Sequence, residues 1–399
     1  MTQIRDVFFR KILDSRGNAT IEVDVHTENG FGRAAAPSGA STGAHEVAAW
    51  PKGGVDQAIE LAEDILAPEL EGAEVTLQRD LDALLAELDG TSNFATLGGN
   101  TCVATSMAIA KAAADSIGVP LYVYLGGVMK TQLPRPLGNV LGGGAHAVGG
   151  TDIQEFMAYA NGPSLQESVF ANAFVHKTVK DLLKKELPGA AIGKGDEGAW
   201  VAPITNERAA KLVYEACQAA KDKFGFDVRL SLDVAATEFF KDGAYHYKDR
   251  VLKPAEQVDF MEGLVKDYNI FSIEDPFAED DWESYVTFTK RVGGRTLIVG
   301  DDLFTTNPDR VIKGINMGAA NAVLIKPNQI GTLTRTVDTV ALAHEHGYKT
   351  IISHRSGETD DTTIAHLGVA LGTIGIKTGA VGGERIAKLN ELIRIEEEL

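Results

Sequence analysis

The strongest constraint on how this chain folds is a pattern in its second half, where six short apolar runs each end on an ionisable residue. They are "RLSLD" at Asp233, "IFSIE" at Glu274, "TLIVGD" at Asp301, "AVLIK" at Lys326, "TIISH" at His354 and "IGIK" at Lys377. From Glu274 onward the successive ends lie 27, 25, 28 and 23 residues apart, close to the length of one βα unit. Two earlier runs, "PLGNVLGG" and "IQEFMAYA", are joined only by the glycine-rich "GAHAVGGTD". That link is too short for a parallel crossover, so the pair is predicted to be antiparallel. Two helical segments, "FVHKTVKDLLKKEL" and "NERAAKLVYEACQAAKDKF", come next. Eight strands in this order predict an α/β fold, an irregular TIM-type (β/α)8 barrel written ββαα(βα)6 with its first strand pair antiparallel.

The segment before the barrel has a different grammar. "TIEVDVHT" alternates apolar Ile21, Val23 and Val25 with polar Glu22, Asp24 and His26 between "SRGN" and "ENG" turns, the pattern of a hairpin with one wet face. Helical patterns follow in "DQAIELAEDILAPEL", "LQRDLDALLAEL" and the Ala-rich "NTCVATSMAIAKAAADSIG", which is predicted to pack closely on several sides. A smaller α+β N-terminal domain over 1–128 and a barrel domain over 129–399 are expected. The net charge of -18 disfavours a nucleic-acid or anionic-membrane partner. Cys102 and Cys217 lie far apart without a CxxC, so neither a disulfide framework nor a zinc site is indicated. With no secretory signal or bilayer-spanning run in view, a cytoplasmic location is expected.

In such a barrel the C-terminal strand ends share one rim. Asp233, Glu274 and Asp301 would then offer an all-oxygen set suited to Mg²⁺, which relieves the repulsion between unpaired carboxylates. The alternative is a set of salt bridges to neighbouring lysines. Lys326 and Lys377 on the same rim are expected to have lowered pKa values, because a metal and a second ammonium each disfavour protonation. A neutral lysine is a general base, suited to taking a proton α to a carboxylate. Three loops are ambiguous on their own. "GDEGAW" carries Asp196 and Glu197 between glycines, "LGGGAHAVGG" carries His146 in a linker or lid, and "PSGASTGAHE" offers amides and hydroxyls to phosphate or metal without the GK[ST] of a P-loop.

Taken jointly and in order, "DSRGN", "PSGASTG", "QEFM", "GDEG", "SIEDPFAEDDWE", "GDDL", "NQIGTL", "SHRSGETDD", "IKTGA" and "AKLNELIRIEEEL" resemble the enolase (phosphopyruvate hydratase) family along nearly the whole chain. "PLGNVLGGGAHA" and "DDLFTTN" look most like its archaeal members. The resemblance implies reversible, Mg²⁺-dependent dehydration of 2-phosphoglycerate to phosphoenolpyruvate in glycolysis and gluconeogenesis. A Lys or His base with one or two Mg²⁺ is the established pattern of enolase-superfamily sites. By that resemblance Lys326 matches the base at C2 and Glu197 the general acid at the C3 hydroxyl. Asp233, Glu274 and Asp301 match the ligands of a first Mg²⁺, and Ser41 helps hold a second with the phosphate. His146, Gln154, Glu155 and Lys377 match substrate-pocket positions, while Arg355 and Ser356, next to His354, match the phosphate clamp. A homodimer is implied, with an octamer as the alternative. The chain departs from the common pattern at Pro327 and at Ala199–Trp200 beside Glu197. Two rivals are weighed against this reading: a superfamily lyase acting on an unphosphorylated acid, which has no use for a phosphate clamp, and an inactive scaffold protein.

Overall fold

The computed structural model describes residues 2–40, 43–129, 132–147 and 149–399. The chain opens with an antiparallel meander of β1 (Ile4–Leu13), β2 (Ala19–Thr27) and β3 (Phe31–Ala35). Its buried face, with Ile21, Val23 and Val25 fully enclosed, is covered by helices. These are α1 (Gly54–Leu61), which continues as helical turns to Leu70, α2 (Gln78–Asp89) and α3 (Gly99–Ser116). The Ala-rich α3 is buried at every residue from Gly99 to Ala110, as its composition predicts.

Close approach of β3 to α3 depends on glycine. A Cβ added at Gly32 would lie 2.0 Å from the carbonyl oxygen of Ala108, a backbone atom that cannot swing aside. Gly32→Ala is therefore expected to destabilise the fold by about 3 kcal/mol, seen as a lower thermal midpoint. Gly263→Ala is the matched control, because a Cβ there meets nothing within 4 Å inside a helix and is expected to raise the midpoint slightly.

The second part is a closed barrel. Its strands are β4 (Arg135–Gly142), β5 (Glu155–Asn161), β6 (Asp227–Asp233), β7 (Ser272–Glu274), β8 (Leu297–Gly300), β9 (Ala322–Ile325), β10 (Lys349–Ser353) and β11 (Gly375–Lys377). β5 is antiparallel to both neighbours, the other pairs are parallel, and β11 closes the ring on β4 through Gly375↔Arg135 and Lys377↔Leu137. The helices α4 (Leu165–Glu186) and α5 (Asn206–Phe224) follow the antiparallel pair. Thereafter one helix follows each strand: α6 (Pro254–Tyr268), α7 (Trp282–Val292), α8 (Pro308–Met317), α9 (Leu333–Glu345), α10 (Thr363–Ala370) and α11 (Gly383–Glu398). Several start on side-chain caps, with Ser164, Thr205, Asp281, Asn307 and Thr332 each accepting a backbone N–H of the first turn.

Leu137, Met157, Tyr159, Val299, Ala322, Leu324 and Ile351 fill the barrel interior, so it is a packed plug with two separate ends. No helix among the described residues is long and apolar enough to cross a membrane.

Candidate active site

The strand-end series converges on one rim. Asp233, Glu274 and Lys377 are the last residues of β6, β7 and β11, while Asp301, Lys326 and His354 directly follow β8, β9 and β10. The antiparallel β5 contributes from its start, because the register Glu155↔Asp233 puts Glu155, with Gln154 before it, at the same mouth. Glu197 arrives on a hairpin formed by Gly193–Lys194 and Trp200–Val201, which is tied to β4 through Leu141↔Trp200. One cavity of about 20 Å³ is lined by His146, Gln154, Glu155, Glu197, Asp233, Asp301, Lys326, His354, Arg355, Ser356 and Lys377. Glu274 lies just behind it, against Lys377. Ser41 lies outside the described residues. Its loop neighbours Gly39 and Ala40 also line the cavity, held by a two-way backbone bridge between Ser38 and Gly357 and by the Ala40 N–H on Ser356 Oγ. This volume has room for about one water.

Both rim lysines are paired to carboxylates. Lys377 Nζ bridges Asp233 Oδ2 and Glu274 Oε1, each at 2.8 Å, and lies 3.1 Å from Glu155 Oε1. Burial disfavours its ammonium form, yet these carboxylates outweigh burial and hold its pKa well above the ordinary lysine value. Lys326 Nζ donates to Asp301 Oδ2. Burial, Arg355 and Lys377 all oppose its charge, but Asp301 prevails and its pKa is also raised. With these carboxylates paired to them both lysines stand above the ordinary value, and the lowering expected from the sequence rests on a metal taking the same carboxylates. The three carboxylates share the rim with lysines between them. Among the described residues, the compact acidic groups are instead Asp275–Asp301–Asp302 and His146–Glu155–Glu197.

A second balance is struck around Glu197. His146 Nδ1 stands 3.6 Å from an oxygen of both Glu155 and Glu197. Burial and the charge of Glu197 push the Glu155 carboxyl well above its usual range. Burial acts on Glu197 too, but His354, His146 and Arg385 outweigh it and hold that carboxyl well below its usual range. Asn139 also donates to Glu197 Oε2 at 3.0 Å. The two buried carboxyls are thus pushed in opposite directions, Glu155 up and Glu197 down. The His354 tautomer follows from its partners. Arg385 Nη1, which only donates, lies 2.8 Å from Nδ1, so Nδ1 accepts and the Nε2–H faces Glu197 Oε1 at 3.2 Å.

Several supporting residues were not singled out from the sequence. Arg355 donates to both oxygens of Glu46 at 3.0 Å and to Asn328 Oδ1 at 2.9 Å. Glu46 lies within the quoted "PSGASTGAHE", but nothing local marks it as the partner of a residue more than 300 positions away. Asp275 accepts the backbone N–H groups of Asp301 and Asp302 and the hydroxyl of Tyr285, so it sets the β8 turn. Arg385, fully buried, donates to His354 and to the carbonyls of Arg355 and Ser356. The signal for Arg385 is periodicity: Arg385, Lys388, Leu389, Leu392 and Ile395 are the buried positions of α11, so two cations sit on its apolar face.

Trp200, a departure in the sequence, is absorbed structurally. It stacks on His176 at 4.8 Å and donates Nε1–H to the His176 carbonyl, while His176 Nε2 lies 2.9 Å from the Gly198 carbonyl beside Glu197. Burial pushes the His176 pKa down to about 4. The unfolded chain, with a histidine near 6.5, then binds more protons than the native one between these values, so stability falls as pH drops through that window. The loss attributable to His176 is about 2 kcal/mol at pH 5 relative to pH 8. Urea midpoints measured across this range should show it, and His176→Gln should flatten the slope.

A closed barrel with buried acids, bases and an arginine at one mouth defines a barrel enzyme built for proton transfer on a small anion. Residues 130–399 match the model of the enolase C-terminal TIM barrel domain, and residues 4–125 match that of the enolase N-terminal domain. The enolase of Methanothermobacter thermautotrophicus is 54% identical over 402 aligned positions, covering 99% of this chain and 97% of that protein. Those of Natronomonas pharaonis and Halobacterium salinarum are each 53% identical, covering 99% and 100% of this chain and 99% and 100% of theirs. The chain belongs to the enolase family. Its activity is that of a lyase, phosphopyruvate hydratase, in glycolysis.

Proposed function

We propose that Lys326 removes the C2 proton of 2-phosphoglycerate and that Glu197 delivers a proton to the departing C3 hydroxyl. The C2–H electrons become the C2=C3 bond, the C3–O bond breaks, and water leaves. The observation that carries this reading is that Lys326 and Glu197 line one buried cavity together with Arg355 and Ser356. Arg355 and Ser356 hold the phosphate beside His354, the guanidinium exchanging its Glu46 pairing for a bidentate one with phosphate oxygens. His146, Gln154, Glu155 and Lys377 position the remainder.

The site also suits Mg²⁺. Asp233, Glu274 and Asp301 form a buried all-oxygen donor set, and Glu155 Oε2 and His146 Nδ1 are buried without a hydrogen-bond partner. Asp233, Glu274 and Asp301 would hold one ion, and Ser41 a second. Two Mg²⁺ supply positive charge against the dianion that forms when a proton leaves the carbon beside a carboxylate.

With 2-phosphoglycerate and Mg²⁺, the ultraviolet absorbance of phosphoenolpyruvate should grow, and its absence in a folded sample overturns the reading. Arg355→Gln is expected to raise KM by about 100-fold, since a charged bidentate contact is removed. An unchanged KM would take Arg355 out of the phosphate clamp. The proposal extends to a division of the chain near residues 128–129, a homodimer with an octamer as the alternative, and a cytoplasmic setting. Its two cysteines, buried and unpaired, suit a reducing compartment, and light scattering reads the assembly.

A further inference from the structure

A cavity of about 750 Å³ lies at the other end of the barrel, where the strands begin and the proposed chemistry has no part. Its lining includes Arg135, Arg229, Arg295 and Lys349, a concentration of cations in a chain of net charge -18. Three arise from the two-residue alternation of inward-facing positions. Arg229 precedes Ser231 and Asp233 on one row, Lys349 precedes Ile351 and Ser353, and Arg295 leads into Leu297, Val299 and Asp301. Two rows that deliver carboxylates to the mouth, those of Asp233 and Asp301, thus begin with cations at the base, and the interior plug separates the two ends.

These cations are poorly neutralised. Arg135, Arg295 and Lys349 make no ion pair among the described residues, and Arg135 Nη1 is buried without a hydrogen-bond partner. Arg229 is the exception, with its Nε 3.2 Å from Asp227 Oδ2, an acid that Lys221 also engages. The other nearby acid, Glu396, accepts the backbone N–H groups of Leu165 and Gln166 at 2.5 and 2.9 Å and so caps α4. A buried guanidinium nitrogen with nothing to bond is costly unless an anion completes it. Beside it Tyr159 and Phe271 stack with centroids 3.5 Å apart, and the Arg229 guanidinium lies 4.9 Å from the Phe271 centroid, fixing one wall.

We infer that the base of the barrel is a binding site for a small polyphosphate anion, separate from the mouth where the lyase chemistry is placed. The cavity has the size of a nucleotide pocket, and the arginines supply the forked donors that phosphate oxygens accept. Inorganic polyphosphate and the polyphosphate tail of a nucleotide share this chemistry.

The test is calorimetric titration of the full chain with inorganic tripolyphosphate, and separately with ATP, in buffer containing a chelator. Saturable binding of one equivalent is expected, weakened about tenfold or more in the Arg295→Gln/Lys349→Gln double variant, whose altered side chains are both exposed. That variant should dehydrate 2-phosphoglycerate normally, which also shows that it folds. Arg355→Gln should leave tripolyphosphate binding unchanged. Similar affinity for both probes identifies the polyphosphate as the recognised part, and tighter ATP binding adds a nucleoside contact at the aromatic wall. No saturable binding of either probe, equal affinity in the double variant, or loss of binding in Arg355→Gln alone would each overturn the inference.

Discussion

Lys326→Ala is expected to lower turnover of 2-phosphoglycerate by about 10³-fold or more and to abolish exchange of the C2 proton with solvent, as befits removal of a positioned general base. The exchange measurement decides the assignment, because it isolates proton removal from loss of the hydroxyl. Glu197→Gln should show the opposite split, retaining C2 exchange while net dehydration collapses. If Lys326→Ala exchanged deuterium at the wild-type rate, the base would have to be sought elsewhere, with Lys377 the next ammonium on the rim. The pairing with Asp301, which raises the Lys326 pKa, opposes this role. A lysine paired with Asp301 is a poor base, so the proposed role of Lys326 requires that carboxylate to be drawn away.

Chelation is the second large effect. Stripping divalent cations should suppress turnover by about 10³-fold or more, with recovery on adding Mg²⁺, because the second negative charge on the substrate then has no counterion. In Asp233→Asn the Mg²⁺ concentration for half-maximal activity should rise by at least about 10- to 100-fold, the range that loss of even an outer partner of a metal ligand produces. Circular dichroism checks the fold, since Asp233 also engages Lys377 and the Ala235 N–H. Full turnover in chelator would refute the assignment of Asp233, Glu274 and Asp301 as cation ligands.

The barrel was legible because its period is local: a strand, a helix and a charged stop recur within each 23 to 28 residues. The antiparallel β5 was legible for the same reason, since a link of so few residues admits no crossover. What escaped was set by distance and orientation. Glu46 meets Arg355 across the whole chain, and Asp275 turns inward only through a positive φ of 38°. Sequence places the lysines on a rim without saying which carboxylates they contact. Arg385 stood in plain view on an apolar helix face, where a cation is anomalous unless something buried needs it.

Arg385 comes late in the chain. The ring closes only when Gly375–Lys377 finds the strand begun at Arg135, and the His354–Ser356 turn gains its guanidinium anchor only from the helix that follows. A chain lacking that helix should therefore lack the anchor of the His354–Ser356 turn and with it a working mouth.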